Sequence, residues 1–484
     1  MLIIGSYPDQ IQGTVNKLNS LLCEYFPNGI PLHIMPFQES CGDGGFAINN
    51  WYSVNPLFGS WLDIESLSRK RAIIVDGVFN HVGVDHPWFQ SLKDCPSEYK
   101  DMFYTNINNG LKSPRGQLAD TKINTSDGVM YVRQTHTSKT VDINLENEKV
   151  LNEIEQYLEF LKQKGIWGIR LDAVAYYKKG TSISHNKGAV ELANRIADLV
   201  INKGFFIIAQ VDCDEKGQVF FLDKEHKEIA IYDFSYSAFL CSALISEDPT
   251  DLVEHLLKTN SLNRILIRAP RTHDGILLRG GNLTPKCITT IEKFTEFHNI
   301  PVRYTQGRIY EINCSLPYLY KKIYDDSSKL WLMTIVFTGI IKSIAYFYLP
   351  YLLGVIPEEF SEDEIIPERF SIDDPRTLNR RPIWNFNNQN ILNIKMVSNI
   401  ITRLNELHCR FNDEILFGKA NYEIKNGLVC TSVANGKIIG CFNFSKSTYI
   451  GTPISTDGCT LYMSSNNNHN EYKAYDYNIY VFQP

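Results

Sequence analysis

Gly168-Ile169-Arg170-Leu171-Asp172-Ala173-Val174 is the stretch on which the fold reading turns. It is short, apolar in bulk and shows little alternation, as expected of a strand buried on both faces of a parallel sheet. One cation and one anion interrupt it, Arg170 and Asp172. Residues i and i+2 of a strand point to the same face, so this pair shares one environment. Charges in such an environment are either paired or functional.

Seven further runs have the same character: Leu2–Gly5, Leu32–Phe37, Ala72–Val78, Phe205–Val211, Ile229–Phe234, Arg264–Ala269 and Ser343–Tyr348. Helical stripes lie between them. Val150, Leu151, Ile154, Leu158 and Leu161 precede the central run, and Val190, Leu192, Ile196 and Leu199 follow it. Eight strands alternating with helices predict an α/β fold, a (β/α)8 TIM barrel. Two connections, after strands 3 and 7, are too long for simple crossovers. Both follow a strand's C-terminal end, where insertions overhang the mouth of a barrel. The reading divides the chain into a barrel (1–81, 146–274 and 331–414), an inserted domain (82–145), a second insertion (275–330) and a C-terminal antiparallel β domain (415–484). The last has short strands punctuated by Asn426-Gly427 and Asn435-Gly436.

Composition narrows the function classes. The 484 residues are 44% hydrophobic and 21% charged, ordinary for a globular protein. A formal charge of −6 gives no electrostatic reason to bind nucleic acid or an anionic membrane. Twenty-six Tyr against 6 Trp suit a cleft for ligands apolar on one face and hydroxylated at the edge, such as sugars. The 11 cysteines form no CxxC pair and no cluster with His, so reduced thiols are expected, without a disulfide framework or a zinc site. MLIIGSYPDQ lacks a basic leader, and the apolar stretch Trp331–Val355 is broken by Gly339, Lys342, Ser343, Pro350 and Gly354. A cytoplasmic protein without metal or cofactor is expected. The sequence leaves the oligomeric state open.

Four clusters fall at strand ends: Asp76-Gly77-Val78-Phe79-Asn80-His81, the Arg170/Asp172 strand, Ala209-Gln210-Val211-Asp212 and Arg271-Thr272-His273-Asp274. Strand C-termini converge on one mouth of a barrel. An Arg beside an Asp is expected to lower the carboxyl's pKa and keep it ionised, which suits a carboxylate nucleophile.

In this order the clusters resemble the four motifs of glycoside hydrolase family 13, the α-amylase family, and more narrowly its sucrose phosphorylase branch. Tyr7-Pro8-Asp9 with Gly13-Thr14, Met35-Pro36-Phe37, Asp43-Gly44-Gly45-Phe46, and Asp172-Ala173-Val174-Ala175-Tyr176 followed by Gly180-Thr181-Ser182 carry the narrower likeness. So do Tyr232-Asp233-Phe234, Thr272-His273-Asp274-Gly275-Ile276, Tyr310-Glu311-Ile312-Asn313-Cys314 and Asn379-Arg380. The resemblance implies retaining α-glucosyl transfer from sucrose or a related α-glucoside to inorganic phosphate. It implies Asp172 as nucleophile, Arg170 as its orienting partner, and Asp274 as the carboxylate that binds the sugar's 2- and 3-hydroxyls. His81 and His273 would bind glucose hydroxyls, and Asp43 and Arg380 would grip the far side of the same glucose. Phe46 and Tyr176 would supply apolar faces, and Tyr310 would sit on a mobile loop near the acceptor. Retention requires a proton donor about 5–5.5 Å from the nucleophile.

That donor is where this chain departs from the family, which carries its acid/base Glu at the position of Gln210. A carboxamide neither gives nor takes the proton. Three explanations stay open: an engineered isosteric Glu-to-Gln change, a non-catalytic glucoside-binding pseudoenzyme, or another acid. Asp212, at i+2 on the same strand face, is the first candidate for the last, ahead of Asp214 and Glu215. A plain α-glucoside hydrolase is a further alternative. The family's PGVPQVYY segment reads Thr338–Tyr346 here, without its prolines. Arg271 is either a surface residue or a positive charge serving phosphate, and Arg115 is a weaker phosphate-binding candidate. Asn80 matches a position that amylases use for calcium, an ion the sucrose phosphorylase branch generally lacks.

Overall fold

The computed structural model describes the chain except residues 107–109, 113–118, 180–181, 183, 185, 212–227, 263, 279–281, 306, 360–365, 372–373, 385–387, 452, 457 and 483–484. Eight strands form one closed barrel: β1 (Leu2–Ser6), β2 (Leu32–Ile34), β3 (Ile73–Gly77), β4 (Gly168–Leu171), β5 (Phe206–Ala209), β6 (Ala230–Tyr232), β7 (Ile265–Arg268) and β8 (Ile344–Tyr348). Each pairs in parallel with its sequence neighbours, and β8 closes onto β1 through Leu2 opposite Ala345 and Gly5 opposite Tyr348. All eight apolar runs of the sequence are strands of this barrel.

Alternation of side chains across each strand makes two cores. Ile73 and Val75 face the helices, whereas Ile74 faces the barrel axis with Ile3, Ile208, Ile267, Ile344 and Tyr346. Tyr346 crosses the interior over Gly5, where a Cβ would lie 1.8 Å from its hydroxyl. In β4, Ile169 and Leu171 join the outer core, which leaves Arg170 on the axis side.

The helices that cover the barrel start on side-chain caps, which satisfy otherwise orphaned backbone N–H groups. Thr14 caps α1 (Val15–Tyr25), Ser60 and Asp63 form a capping box on α2 (Trp61–Ser68), and Asn147 caps α3 (Glu148–Gln163). Asn186 caps α4 (Lys187–Asn202), and Asp233 caps α5 (Phe234–Ser246). The α3 stripe Val150, Leu151, Ile154, Leu158 and Leu161 is buried as its spacing predicts. Ahead of β8, α6 (Ser327–Ile340) is apolar on nearly all sides. Its Phe337 is covered by Phe442 and Phe444 of the C-terminal sheet, with ring centroids 5.0 and 5.1 Å away. Among the described residues no helix is long and apolar enough to cross a membrane.

The connection after β3 contains the ribbon His81–Gly83/Thr140–Asp142, a helix (Pro87–Asp94) and the hairpin Asp120–Thr125/Gly128–Arg133. The connection after β7 holds a three-stranded sheet of Ile276–Leu277, Arg308–Ile312 and Val302–Thr305. After α7 (Asn388–Phe417), the chain ends in a five-stranded antiparallel sheet. Asn426 and Gly427 both take positive φ (50° and 78°), as a two-residue hairpin turn requires. The next turn needs three such residues, Ala434, Asn435 and Gly436, one more than the Asn-Gly signal indicates. The ten described cysteines are free thiols.

Candidate active site

The floor of the site is built from strand ends. Asp172 N donates to Gly77 O at 3.2 Å and Gln210 N to Leu171 O at 3.0 Å, so the barrel ladder itself sets both residues at its mouth. Ala173 then turns the chain away with φ 48° and ψ 43°, an uncommon conformation for a side chain with Cβ. Arg170 gives one guanidinium to three acceptors: Asp76, Asp172 Oδ1 at 2.8 Å and Gln210 Oε1 at 2.5 Å. Asp76 also meets His33 Nε2 at 3.0 Å, and His33 Nδ1 meets the Tyr346 hydroxyl. Burial would raise Asp76, but Arg170 and His33 hold its carboxyl down at about 2. Asp172 goes the other way. Burial pushes it up to about 7; Arg170 pulls against this, while the charges of Asp76 and Asp274 add to it. The sequence-based expectation that Arg170 keeps Asp172 firmly ionised is therefore corrected, because Arg170 is shared and desolvation wins.

The wall is built from loops. Asp43 opens a tight turn in which Asp43 and Gly44 have φ of 50° and 64°. Arg376 Nη2 donates to Asp43 Oδ1 at 3.1 Å, while its Nε holds Asp374 at 3.0 Å. Arg380 donates to Asp274, whose other oxygen lies 3.5 Å from His273 Nε2; Arg376 Nη1 stands 3.7 Å away. Burial works against the Asp274 charge, but His273, Arg380 and Arg376 keep its carboxyl well below the usual carboxylate range. Burial takes His273 down to about 3 and lowers His81 too. Phe46 stacks on His273 (5.6 Å, 13°), and its carbonyl meets His81 Nε2 at 3.2 Å.

These groups meet around a cavity of about 120 Å³ that opens to solvent. Of the residues read from the sequence, Asp43, Phe46, His81, Asp172, Tyr176, Gln210, His273, Asp274, Tyr310 and Arg380 line it. Arg170 lies beneath it on its bonds to Asp172 and Gln210. Asp212, Asp214, Glu215 and Arg115 fall outside the described residues.

Two further readings are corrected. Tyr310 stands on the strand Arg308–Ile312, not on a loop, because that segment pairs on both sides within its small sheet. Asp43 and Arg380 both line the cavity, Asp43 bonded to Arg376 and Arg380 to Asp274. Arg271 is not a surface residue: it is 3% exposed, and its Nε donates to the Asp274 carbonyl at 3.0 Å, bracing the loop behind the cavity. Asn80 Oδ1 accepts from Lys179 Nζ at 2.6 Å. This buried ammonium lies 3.7 Å from Asp142 and is brought down to about 8 by burial. No cluster of three His, Cys, Asp or Glu able to hold a metal occurs among the described residues.

Sequence reasoning missed Arg376, Arg303 and His136, which also line the cavity, and gave no role to Glu311. Glu311 Oε1 accepts from Gly275 N at 2.5 Å, and its Oε2 stands 3.2 Å from Arg303. Arg376 lies four residues before Arg380, beside Asp374, a spacing indistinguishable from an exposed charge pair. Arg303 and His136 sit in the two insertions, where only tertiary contact signals a role.

A family profile described as the alpha amylase catalytic domain matches residues 29–201. Residues 29–201 thus match the catalytic domain of the alpha-amylase family, which is glycoside hydrolase family 13. Within it the chain is sucrose phosphorylase-like. It is 26% identical over 365 residues to a sucrose phosphorylase of Streptococcus mutans, covering 68% of this chain and 73% of that one. It is 27% identical over 266 residues to a glucosylglycerate phosphorylase of Spirochaeta thermophila, covering 52% of this chain and 45% of that one. The chain thus spans about half the length of the latter relative. Its fold matches the crystal structure of sucrose 6F-phosphate phosphorylase from Thermoanaerobacter thermosaccharolyticum with a TM-score of 0.76 at 19% identity, covering 92% and 93% of the two chains.

Proposed function

We propose that the chain is a retaining α-glucosyl-transferring enzyme of the sucrose phosphorylase kind, using a covalent glucosyl ester on Asp172, with inorganic phosphate as acceptor. The observation that carries this reading is the convergence of Asp172, Asp274, His81 and His273 on one small cavity at the strand C-termini, with Arg170 bonded to Asp172 beneath it. In this reading Asp172 attacks the anomeric carbon and Arg170 aims its carboxylate. Asp274, kept anionic by its guanidinium partners, accepts from two glucose hydroxyls, and the ring lies against Phe46. His81 and His273, neutral because buried, exchange single hydrogen bonds with the sugar, as does Asp43, while Arg380 acts through Asp274. Tyr176 and Tyr310 pack on the leaving-group side, with residues 82–145 and 275–330 walling the acceptor region. The protein works in the cytoplasm, where phosphate is at hand.

Gln210 impairs this machinery toward alcohol leaving groups, because general acid–base help is worth ~10²–10⁴ in rate. The same residue is the one observation favouring a second reading, a glucoside-binding protein without turnover. Production of α-glucose 1-phosphate from sucrose and phosphate by the Gln210→Glu variant tests the first reading. Failure of that variant on sucrose and on α-glucosyl fluoride alike overturns it.

A further inference from the structure

Gln210 does more than remove an acid. Its Oε1 accepts from Arg170 Nη2, and a guanidinium only donates, so the orientation of the carboxamide is determined. Among the described residues its Nε2 hydrogens have no partner and remain for whatever occupies the cavity that Gln210 lines. At the leaving oxygen stands a neutral hydrogen-bond donor that carries no transferable proton.

The cations around the cavity differ in how far they are committed. Arg376 serves Asp43 and Asp374, and Arg380 serves Asp274. Arg303 lines both this cavity and an adjoining outer one of about 520 Å³. Its only carboxylate among the described residues is Glu311, which also accepts from Gly275, and its buried Nε has no hydrogen-bond partner there. Lys139 lines the outer cavity with its stem over Gly42. Among the described residues no carboxylate stands within ion-pair distance of its amine.

We propose that this chain transfers glucose between oxyacids, from α-glucosyl phosphate to a carboxylate or second phosphate, rather than to or from a sugar hydroxyl. The proposal rests on Asp172 being the nucleophile. In the first half-reaction an Asp172 oxygen bonds to C1 as the C1–O bond to phosphate breaks, its electron pair staying on the phosphate oxygen. The donor reacts as the monoanion Glc–OPO3H⁻ and releases HPO4²⁻, so the leaving group already holds its proton. Phosphate monoesters lose that proton near pH ~6, which keeps a usable fraction of monoanion at neutral pH. In the second half-reaction RCOO⁻ or HPO4²⁻ attacks C1, Asp172 recovers its electron pair, and the product is Glc–OCOR or Glc–OPO3H⁻. No proton passes to or from the protein. Gln210 and Arg303 line the reaction cavity, Lys139 lines the outer cavity that adjoins it, and a neutral amide stands where a carboxylate would repel an oxyanion.

The test uses the full chain in three parallel assays. The first follows ³²P-labelled inorganic phosphate into unlabelled α-glucose 1-phosphate. The second follows fluoride release from α-glucosyl fluoride with and without acetate as the carboxylate acceptor. The third is phosphorolysis of sucrose. Label exchange, 1-O-acetylglucose formation, and sucrose phosphorolysis at least ~10²-fold slower than exchange are expected. The Gln210→Glu variant narrows that gap by accelerating the sucrose arm, and Arg303→Gln raises KM for phosphate in exchange ~10-fold with a smaller change in kcat. If fluoride is released but neither phosphate nor acetate is glucosylated, oxyacid transfer is overturned while the covalent reading stands. If sucrose is phosphorolysed as fast as exchange proceeds, the restriction to oxyacids is overturned. If not even one equivalent of fluoride is released, the Asp172 reading itself falls.

Discussion

The floor and the wall of the cavity treat buried carboxylates in opposite ways. On the floor a single guanidinium, Arg170, is divided among Asp76, Asp172 and Gln210, and Asp76 has His33 as well. On the wall Asp274 draws on Arg380 and on Arg376, which it shares with Asp43 and Asp374, with the His273 ring 3.5 Å away. Asp172 is buried and Asp274 partly buried at the same mouth, yet Asp172 rises to about 7 and Asp274 falls well below the ordinary range. The residue type does not set the charge; the number of cations facing each carboxylate does, against a desolvation cost that both share. Two carboxyls pushed apart in this way are suited to different tasks. The poorly stabilised one is the better nucleophile once ionised, and the firmly anionic one is a constant acceptor for hydroxyls.

That contrast breaks if the two groups prove interchangeable, and the largest test is Asp172→Asn. Turnover of α-glucosyl fluoride should fall by at least ~10⁴-fold, as expected for loss of a nucleophile; unchanged fluoride release would show that the floor carboxylate does no chemistry. Next comes Gln210→Glu, which should accelerate formation of α-glucose 1-phosphate from sucrose by ~10²–10⁴-fold. No change there would mean that another group already supplies the proton. On the wall, Arg380→Ala should weaken binding of glucose-containing ligands ~10²-fold, measured calorimetrically, by removing a charge-assisted partner of Asp274 worth ~1.5–3 kcal/mol. Equal affinity would remove Asp274 from the ligand.

The pH profile distinguishes floor from wall directly. With Asp172 at about 7, kcat/KM for α-glucosyl fluoride should rise about tenfold from pH 6 to pH 8. No limb from His273 is expected in this range, since burial holds it near 3. A flat profile would place the nucleophile among the firmly anionic groups. The smallest effect is on stability. The folded-state pKa of Asp172 lies above its unfolded value of 3.8, so the folded protein binds the extra proton between these values. Its contribution to stability is full below about pH 4 and is lost as pH rises through about 7. Asp172→Asn should therefore raise Tm by ~2–4 °C at pH 8 and by much less at pH 5. A destabilised variant at pH 8 would show that the Arg170 pair outweighs desolvation after all.

Much of the floor was legible in the chain itself. Asp76, Arg170, Asp172 and Gln210 lie on or next to apolar runs, and strand geometry alone sends them to one mouth. The wall was legible only in part. Asp43, His273, Asp274 and Arg380 stand in recognisable motifs, but their pairing was not readable: Asp43 belongs with Arg376, more than 300 residues away along the chain. Arg271 looked equally suited to the surface or to phosphate, and only packing showed it braced under the Asp274 loop. Tyr310 looked like a loop residue because its short strand pairs with partners that carry no periodic signal.

By itself the sequence determined the barrel and the strand-end groups, Asp76, Arg170, Asp172 and Gln210 among them, that it sends to one mouth. Those features follow from local periodicity and from the period-two direction of side chains in a strand, whereas Asp43, Phe46, Tyr176, Tyr310 and Arg380 were legible only through the family resemblance. It also determined the absence of a carboxylate at position 210. Tertiary structure alone decided how the charges are shared, because the balance between desolvation and Coulomb attraction depends on how many cations the fold brings within a few ångströms. It decided as well that Arg170 holds the oxygen of Gln210, leaving a neutral donor toward the cavity.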